Sequence, residues 1–205
     1  MVAALRVTLP RKINGPRVRL RPLRLSDAPA AWEAIEESRS HLEPWLPWVK
    51  ETRSVADERA SIARFRELWR RRESLVVGIF DRRGGRYLGG SGLHRINWRT
   101  RVFEIGYWIR VTAEGRGYVS ETVRLLTSLA FDRFAANRVQ IFMHPQNVRS
   151  ETVPKRLGFV REGTLRGVTL GPDGVPQDRH VYALVRADYD RIPWRSGRRL
   201  SSGRR

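Results

Sequence analysis

The sequence predicts an α+β fold: a single domain with one mixed, mostly antiparallel sheet and helices on both faces. Two observations carry this. Apolar patterns of period 2 and period 3.6 follow one another in the order βαα, βββ, αβ, αββ along 205 residues, a length that suits one domain. The hydrophobic share of 40% excludes disorder of the whole chain, and 30% charged residues exclude a membrane-spanning protein.

Residues 18–25, VRLRPLRL, alternate apolar and basic side chains as a half-buried strand does, with Pro22 marking an edge or a break in phase. Ser26 and Asp27 are cap residues for a helix over 28–38, which carries Ala31, Trp32 and Ile35 at helical spacing. Residues 41–48, HLEPWLPW, read as a proline-punctuated aromatic loop that neither regular helix nor central strand accommodates. Over 55–72, Ile62, Phe65, Leu68 and Trp69 form one stripe of an amphipathic helix. Strands over 75–80, 87–97 and 102–111 make a meander whose first turn is DRRGG at 81–85. Gly115 to Tyr118 then punctuates the chain before a helix over 119–134. A strand at 138–143, a short helix at 150–157 and strands at 159–169 and 179–185 complete the domain. The expected organisation is an extension at 1–15, the domain at 16–190, and a basic tail at 191–205 that is disordered on composition.

Only Lys12, Lys50 and Lys155 among the 40 basic residues are lysines, so 37 are arginines, and the formal net charge is +19. Guanidinium forks favour polyanions: RNA, a ribosome surface or a phosphorylated cofactor. Proteome-wide use of arginine for lysine explains the same count, and both readings stay open. No cysteine exists, which excludes thiol nucleophiles, disulfides and thiolate metal sites. The four histidines are scattered and support no metal. Residues 1–14 lack the apolar core of a signal peptide, and no run approaches the roughly 18 apolar residues of a membrane span. The cytoplasm is the expected compartment.

Two glycines in Glu114-Gly-Arg-Gly-Tyr-Val119, between a strand and a helix, let backbone approach a ligand while helix amides point outward, which describes an anion cradle. An ordinary strand-to-helix turn explains the same residues. Neither G-x-G-x-x-G nor a P-loop is completed. Asn147 and Ser150 are both natural caps of the following short helix, which Gly158 ends.

Taken in order, Glu104-Ile-Gly-Tyr-Trp108, Gly115-Arg-Gly-Tyr118, Asn147-x-x-Ser150 and Leu157-Gly-Phe159 resemble the GNAT superfamily of N-acetyltransferases, and more narrowly its RimJ/RimL branch, which acetylates ribosomal proteins at N-terminal amines. The resemblance implies a sheet splayed between central strands to admit acetyl-coenzyme A. It implies that the strand reaching Ile109 and Val111 offers backbone groups to pantetheine. The amides of Gly115, Arg116, Gly117, Tyr118, Val119 and Ser120 would hold the pyrophosphate, and Asn147 would touch the pantetheine arm. Trp45, Trp48, His94 and Tyr107 are the candidate acceptor contacts, although a loop packed on the sheet would also use the two tryptophans. Three features depart from the family's pattern: Thr112 stands where it has Arg or Gln, the acid Glu114 precedes Gly115, and Pro154 takes the place of a Tyr that protonates the departing thiolate in many members.

Direct transfer needs a neutral amine, a donor for the thioester carbonyl and a proton for the thiolate. By resemblance Ser150 is the candidate acid, against the alternative of a simple cap. Glu104 is the candidate base, with His94 as its alternative and a salt bridge as the competing role. The expected acceptor is a protein N-terminal α-amine, with a small-molecule amine second and a non-enzymatic ribosome- or RNA-binding module as the rival class. A monomer or a homodimer suits all three.

Overall fold

The computed structural model describes residues 10–171 and 173–195. In chain order the elements are β1 (Ile13–Asn14), β2 (Val18–Arg21), α1 (Ala28–Glu37), α2 (Arg39–Leu42), α3 (Trp48–Glu51), α4 (Val55–Arg71), β3 (Leu75–Asp81), β4 (Tyr87–Asn97), β5 (Val102–Ile109), α5 (Tyr118–Ser128), β6 (Arg138–Met143), α6 (Val148–Arg156), β7 (Val160–Leu170), β8 (Pro176–Val185) and α7 (Arg186–Arg191). Eight strands form one sheet in the order β1-β2-β3-β4-β5-β6-β8-β7.

Every neighbouring pair is antiparallel except β5 with β6, whose pairing is confined to Val102, Phe103 and Glu104 against Arg138, Val139 and Gln140. Beyond that point β5 continues along β4 to Ile109 and β6 along β8 to Met143 with no further pairing to each other, so the sheet opens into a V at its centre. The open edge of β5 follows from antiparallel alternation. Arg110 N–H donates to Leu88 O at 2.8 Å, so even-numbered residues from Glu104 turn their amides to β4. The backbone groups of Tyr107 and Ile109 therefore face the V.

The helices divide between the faces. Leu125, Leu126, Leu129 and Phe131, on α5 and its continuation, pack with Leu20, Val77, Phe103, Ile105 and Leu184 into the larger core. On the other face Ala28, Ala31 and Ala34 of α1 and Ile62 of α4 close over Phe80 and Tyr87, while Ile35, Leu42 and Val49 join α1 to α2 and α3. Arg110, only 2% exposed, welds α1 to the end of β5 by donating to Glu33 at 2.9 Å, to Glu37, and to Tyr87 O at 3.2 Å.

Several expected boundaries move for physical reasons. β2 stops at Arg21, before Pro22, and Asp27 accepts from Arg21 at 2.6 and 2.8 Å and from the Arg24 amide at 2.7 Å, so its carboxylate is no simple helix cap. The segment expected to be loop holds two short helical turns, α2 containing His41 and α3 starting at Trp48, with Pro47 at the start of the second, where a missing N–H costs nothing. The third meander strand ends at Ile109, and Val111 lies in a 3-10 turn, Val111–Ala113, with its amide on Ser38 Oγ at 2.9 Å. The helix after the glycines leaves α geometry at Ser128 and ends in a π turn, Leu129–Arg133. Ile13 and Asn14, assigned to an extension, pair with Leu20 and Arg19. At the far end Pro193–Arg195 forms a 3-10 turn, and Trp194 Nε1 donates to Leu157 O at 3.1 Å, so residues 191–195 of the segment expected to be tail pack on the domain. Residues 196–205 lie outside the described residues. Among the described residues no helix is long and apolar enough to cross a membrane.

Candidate active site

The site is built around the V between β5 and β6. Its upper rim is the turn before α5. Gly115 and Gly117 hold φ of +69° and +75°, a region that costs other residues about 1–2 kcal/mol. Glu121 N–H is the first amide of α5 to donate inside the helix, to Gly117 O at 3.1 Å, so those of Tyr118, Val119 and Ser120 are left pointing out at the positive end of the helix dipole. Space for an anion is open, since a Cβ built on Gly115 meets nothing within 4 Å. These residues fit a pyrophosphate.

Two residues missed by sequence reasoning hold this turn. Arg17 Nη1 donates to Arg116 O at 2.7 Å and Nη2 to Gly117 O at 3.3 Å, and its Nε donates to Glu121 at 2.9 Å. Buried Glu121 in turn accepts from the amides of Arg17 at 2.8 Å and Val18 at 3.2 Å. With the carbonyls of the turn occupied by a guanidinium, its amides are aimed the opposite way. The one local signal was an acid in the first turn of a helix.

The acidic departure at Glu114 resolves by pairing. Its carboxylate accepts from Arg149 Nη1 of α6 at 2.8 Å and from His41 Nε2 of α2, so the charge is neutralised beside the turn. Thr112 Oγ1 donates to Glu37 at 2.5 Å and belongs to the α1 weld.

On the face of α5 and α6, Asn147 is the cap of α6, its Oδ1 accepting from Ser150 N–H at 3.0 Å. Asn147 Oδ1 thus caps the helix, and the Ser150 side chain is released from capping. Ser150 Oγ donates to Tyr107 Oη at 3.1 Å, and Tyr107 Oη donates to Ser150 O at 2.9 Å. Tyr107, a candidate acceptor contact, carries its side chain on this face because β5 alternates.

The face of α1 to α4 carries Glu104, His94 and Trp108. Glu104 and His94 are cross-strand partners, and Gly92 and Gly106 leave room for the imidazole, whose Nε2 lies 3.2 Å from where a Gly92 Cβ would stand. His94 Nδ1 meets Ser74 Oγ at 3.0 Å. Burial, aided by Arg95, pushes His94 down to about 4, so the ring is neutral and a weak base at pH 7. Burial pushes Glu104 up against the pull of Arg95, whose Nη1 is 3.2 Å away, and its side chain is 16% exposed. Glu104 is therefore the better proton acceptor of the pair. Trp48 packs on Trp108 with ring centroids 5.9 Å apart, and Trp45 on His144 at 5.6 Å, so both expected pocket walls are also packing residues. Val111 donates its amide to Ser38, which leaves Ile109 and Tyr107 as the open backbone groups of β5.

A mixed sheet opened between its one parallel pair, with a glycine turn and a helix N-terminus at the opening, defines a nucleotide-cofactor acyltransferase architecture. The chain belongs to the acetyltransferase (GNAT) domain family, whose model matches residues 17–160. It is 31% identical over 184 residues to YdaF of Bacillus subtilis (strain 168), provisionally named a ribosomal N-acetyltransferase, covering 87% of this chain and 96% of that one. The ribosomal-protein-serine acetyltransferase of Escherichia coli (strain K12) is 25% identical over 154 residues, 75% and 84% of the two chains. In fold the chain is similar to Mycobacterium smegmatis RimJ, solved in complex with CoA-disulfide, with a TM-score of 0.81 at 24% identity over 89% of this chain and 91% of that one.

Proposed function

We infer that this acetyltransferase moves the acetyl group of acetyl-CoA to the N-terminal α-amine of a ribosomal protein. The observation that carries the reading is the division of the site across the opened sheet: Glu104 on one face, Ser150 on the other, and the V between them. The amides from Gly115 to Ser120 take the pyrophosphate, and the open groups of Tyr107 and Ile109 take the amides of the pantetheine arm. Acetyl-CoA, when bound, supplies an activated thioester. Glu104 accepts the amine proton, and Ser150 Oγ–H is the proton source for the sulfur.

The acceptor class follows from magnitudes and from the names of the relatives. An α-amine with pKa near 7.7–8 is roughly a tenth neutral at pH 7, whereas a lysine near 10.4 is about 1 in 2,500. One carboxylate held by an arginine serves the first far more easily. Ribosomal proteins also place the enzyme in the cytoplasm and beside RNA, which suits its +19 charge.

The test is transfer of radiolabelled acetyl from acetyl-CoA into ribosomal proteins and, in parallel, into polyamines and aminoglycosides. Label at protein N-termini alone is the expected result, and label confined to small amines overturns it. Glu104→Gln should lose about 100-fold in kcat/KM near pH 6.5 and far less near pH 9, where the amine deprotonates itself. A loss of equal size at both would assign Glu104 to its ion pair.

A further inference from the structure

Pro154 is the departure that the fold turns to use. In α6 the amide of residue 154 would donate one turn back, to the carbonyl of Ser150. Proline has no N–H, and that carbonyl would be left without its helical donor. It is met from another element: Tyr107 Oη, carried by β5, donates to it at 2.9 Å. A phenol has one hydrogen. With that hydrogen on the carbonyl, Oη meets Ser150 Oγ at 3.1 Å only as an acceptor, so the bond fixes where Ser150 Oγ stands, and the hydroxyl hydrogen, resting on the phenol, turns from it to the sulfur when the thiolate leaves. Pro154 is itself buried, and burial pushes the Tyr107 phenol well up, so the phenol stays neutral wherever the enzyme works. The two bonds cross from β5 to α6, over the V, at the residue read as the proton donor.

We propose that Tyr107 is a positioning residue for Ser150, and that Pro154 makes it one by leaving the Ser150 carbonyl free to take the phenol. The proposal rests on the reading of Ser150 as proton donor. A tyrosine that merely patches a broken helix would leave the same two bonds, and kinetics separate the cases. A patch acts on stability; a positioning residue acts through Ser150 alone.

The experiment is a double-mutant cycle on the full chain with acetyl-CoA and a peptide that starts with serine, following release of free thiol from about pH 6.5 to about pH 9. Ser150→Ala should lower kcat about 100-fold. Tyr107→Phe should lower it about tenfold at every pH, since no ionisation is lost, with KM for acetyl-CoA within about twofold of wild type. Added to Ser150→Ala, Tyr107→Phe should cost nothing further. Pro154→Ala returns a helical donor that competes for the carbonyl, so kcat should fall several-fold while Tm stays level or rises, alanine being the better helix former. Tyr107→Phe at wild-type kcat overturns the proposal, as does a tenfold loss that persists beside Ser150→Ala, or Pro154→Ala with kcat unchanged. Unchanged kcat in Ser150→Ala overturns the reading of Ser150 itself, and the proposal with it.

Discussion

Glu58 shows how one side chain can work against its own fold. It stands four residues before Ile62 on the core-facing stripe of α4, is 5% exposed, and has no ion-pair partner among the described residues. Burial alone raises its carboxyl from 4.5 to about 7. The folded protein therefore keeps this proton between those values when the unfolded chain has lost it. Stability from this group is complete below about pH 4.5 and is lost as pH rises through about 7. Glu58→Gln should match wild type near pH 4.5 and exceed it by about 3 kcal/mol above pH 8, measured by denaturant melts at a series of pH values. A difference independent of pH would mean that the carboxyl is ionised in the fold throughout. Burial also limits what residue type alone can say about the site. Glu104 and His94 were legible as candidates from residue type, but which of them is the base depends on burial, and burial is set by strands that the sequence does not show side by side.

At the scale of elements, patterns bounded by clear punctuation were read well. β4 and β6 have the expected limits, 87–97 and 138–143: turn residues bound β4, which is buried along its first seven residues, and alternating burial marks β6. The α6 start was ambiguous because Asn147 and Ser150 are both cap residues, and only packing decides that Asn147 wins. α7 was missed because a turn of ADYD offers one apolar anchor, Tyr189, whose ring stacks on Phe131 at 4.4 Å. The grip of Arg17 on the glycine turn joins residues about a hundred positions apart, beyond any local pattern. That grip makes a prediction. Gly115→Ala and Gly117→Ala should each cost about 1–2 kcal/mol in backbone strain. At Gly117 the new Cβ would also stand 3.0 Å from Arg17 Nη2, displacing the guanidinium. Calorimetry should find acetyl-CoA binding weakened about tenfold more by Gly117→Ala than by Gly115→Ala, a difference of about 1.4 kcal/mol. Equal weakening would show that Arg17 does not aim the amides.

For the whole molecule, the +19 charge yields a prediction about polyanionic partners. Deleting residues 196–205 removes four arginines and spares Trp194, whose indole is tied to Leu157 O. On ribosomes, log affinity should fall linearly with log salt, and the truncation should flatten the slope by up to about 3, with transfer to a free peptide unchanged. Equal, salt-insensitive retention of both forms would make the charge a matter of proteome composition. The long hairpin at the other end of the sheet has a consequence for solubility. β7 is the outermost strand, and Leu165, Val168 and Leu170 on it are exposed, the makings of a template for another chain to add to. Its ladder with β8 slips at Arg161/Gly163 and again at Leu165/Thr169, and Arg161 and Arg166 stand among the apolar side chains. Irregular backbone and like charges are what keep an edge from recruiting strands. The two slips that weaken the hairpin internally thereby guard the crowded, arginine-rich protein against sheet-to-sheet aggregation.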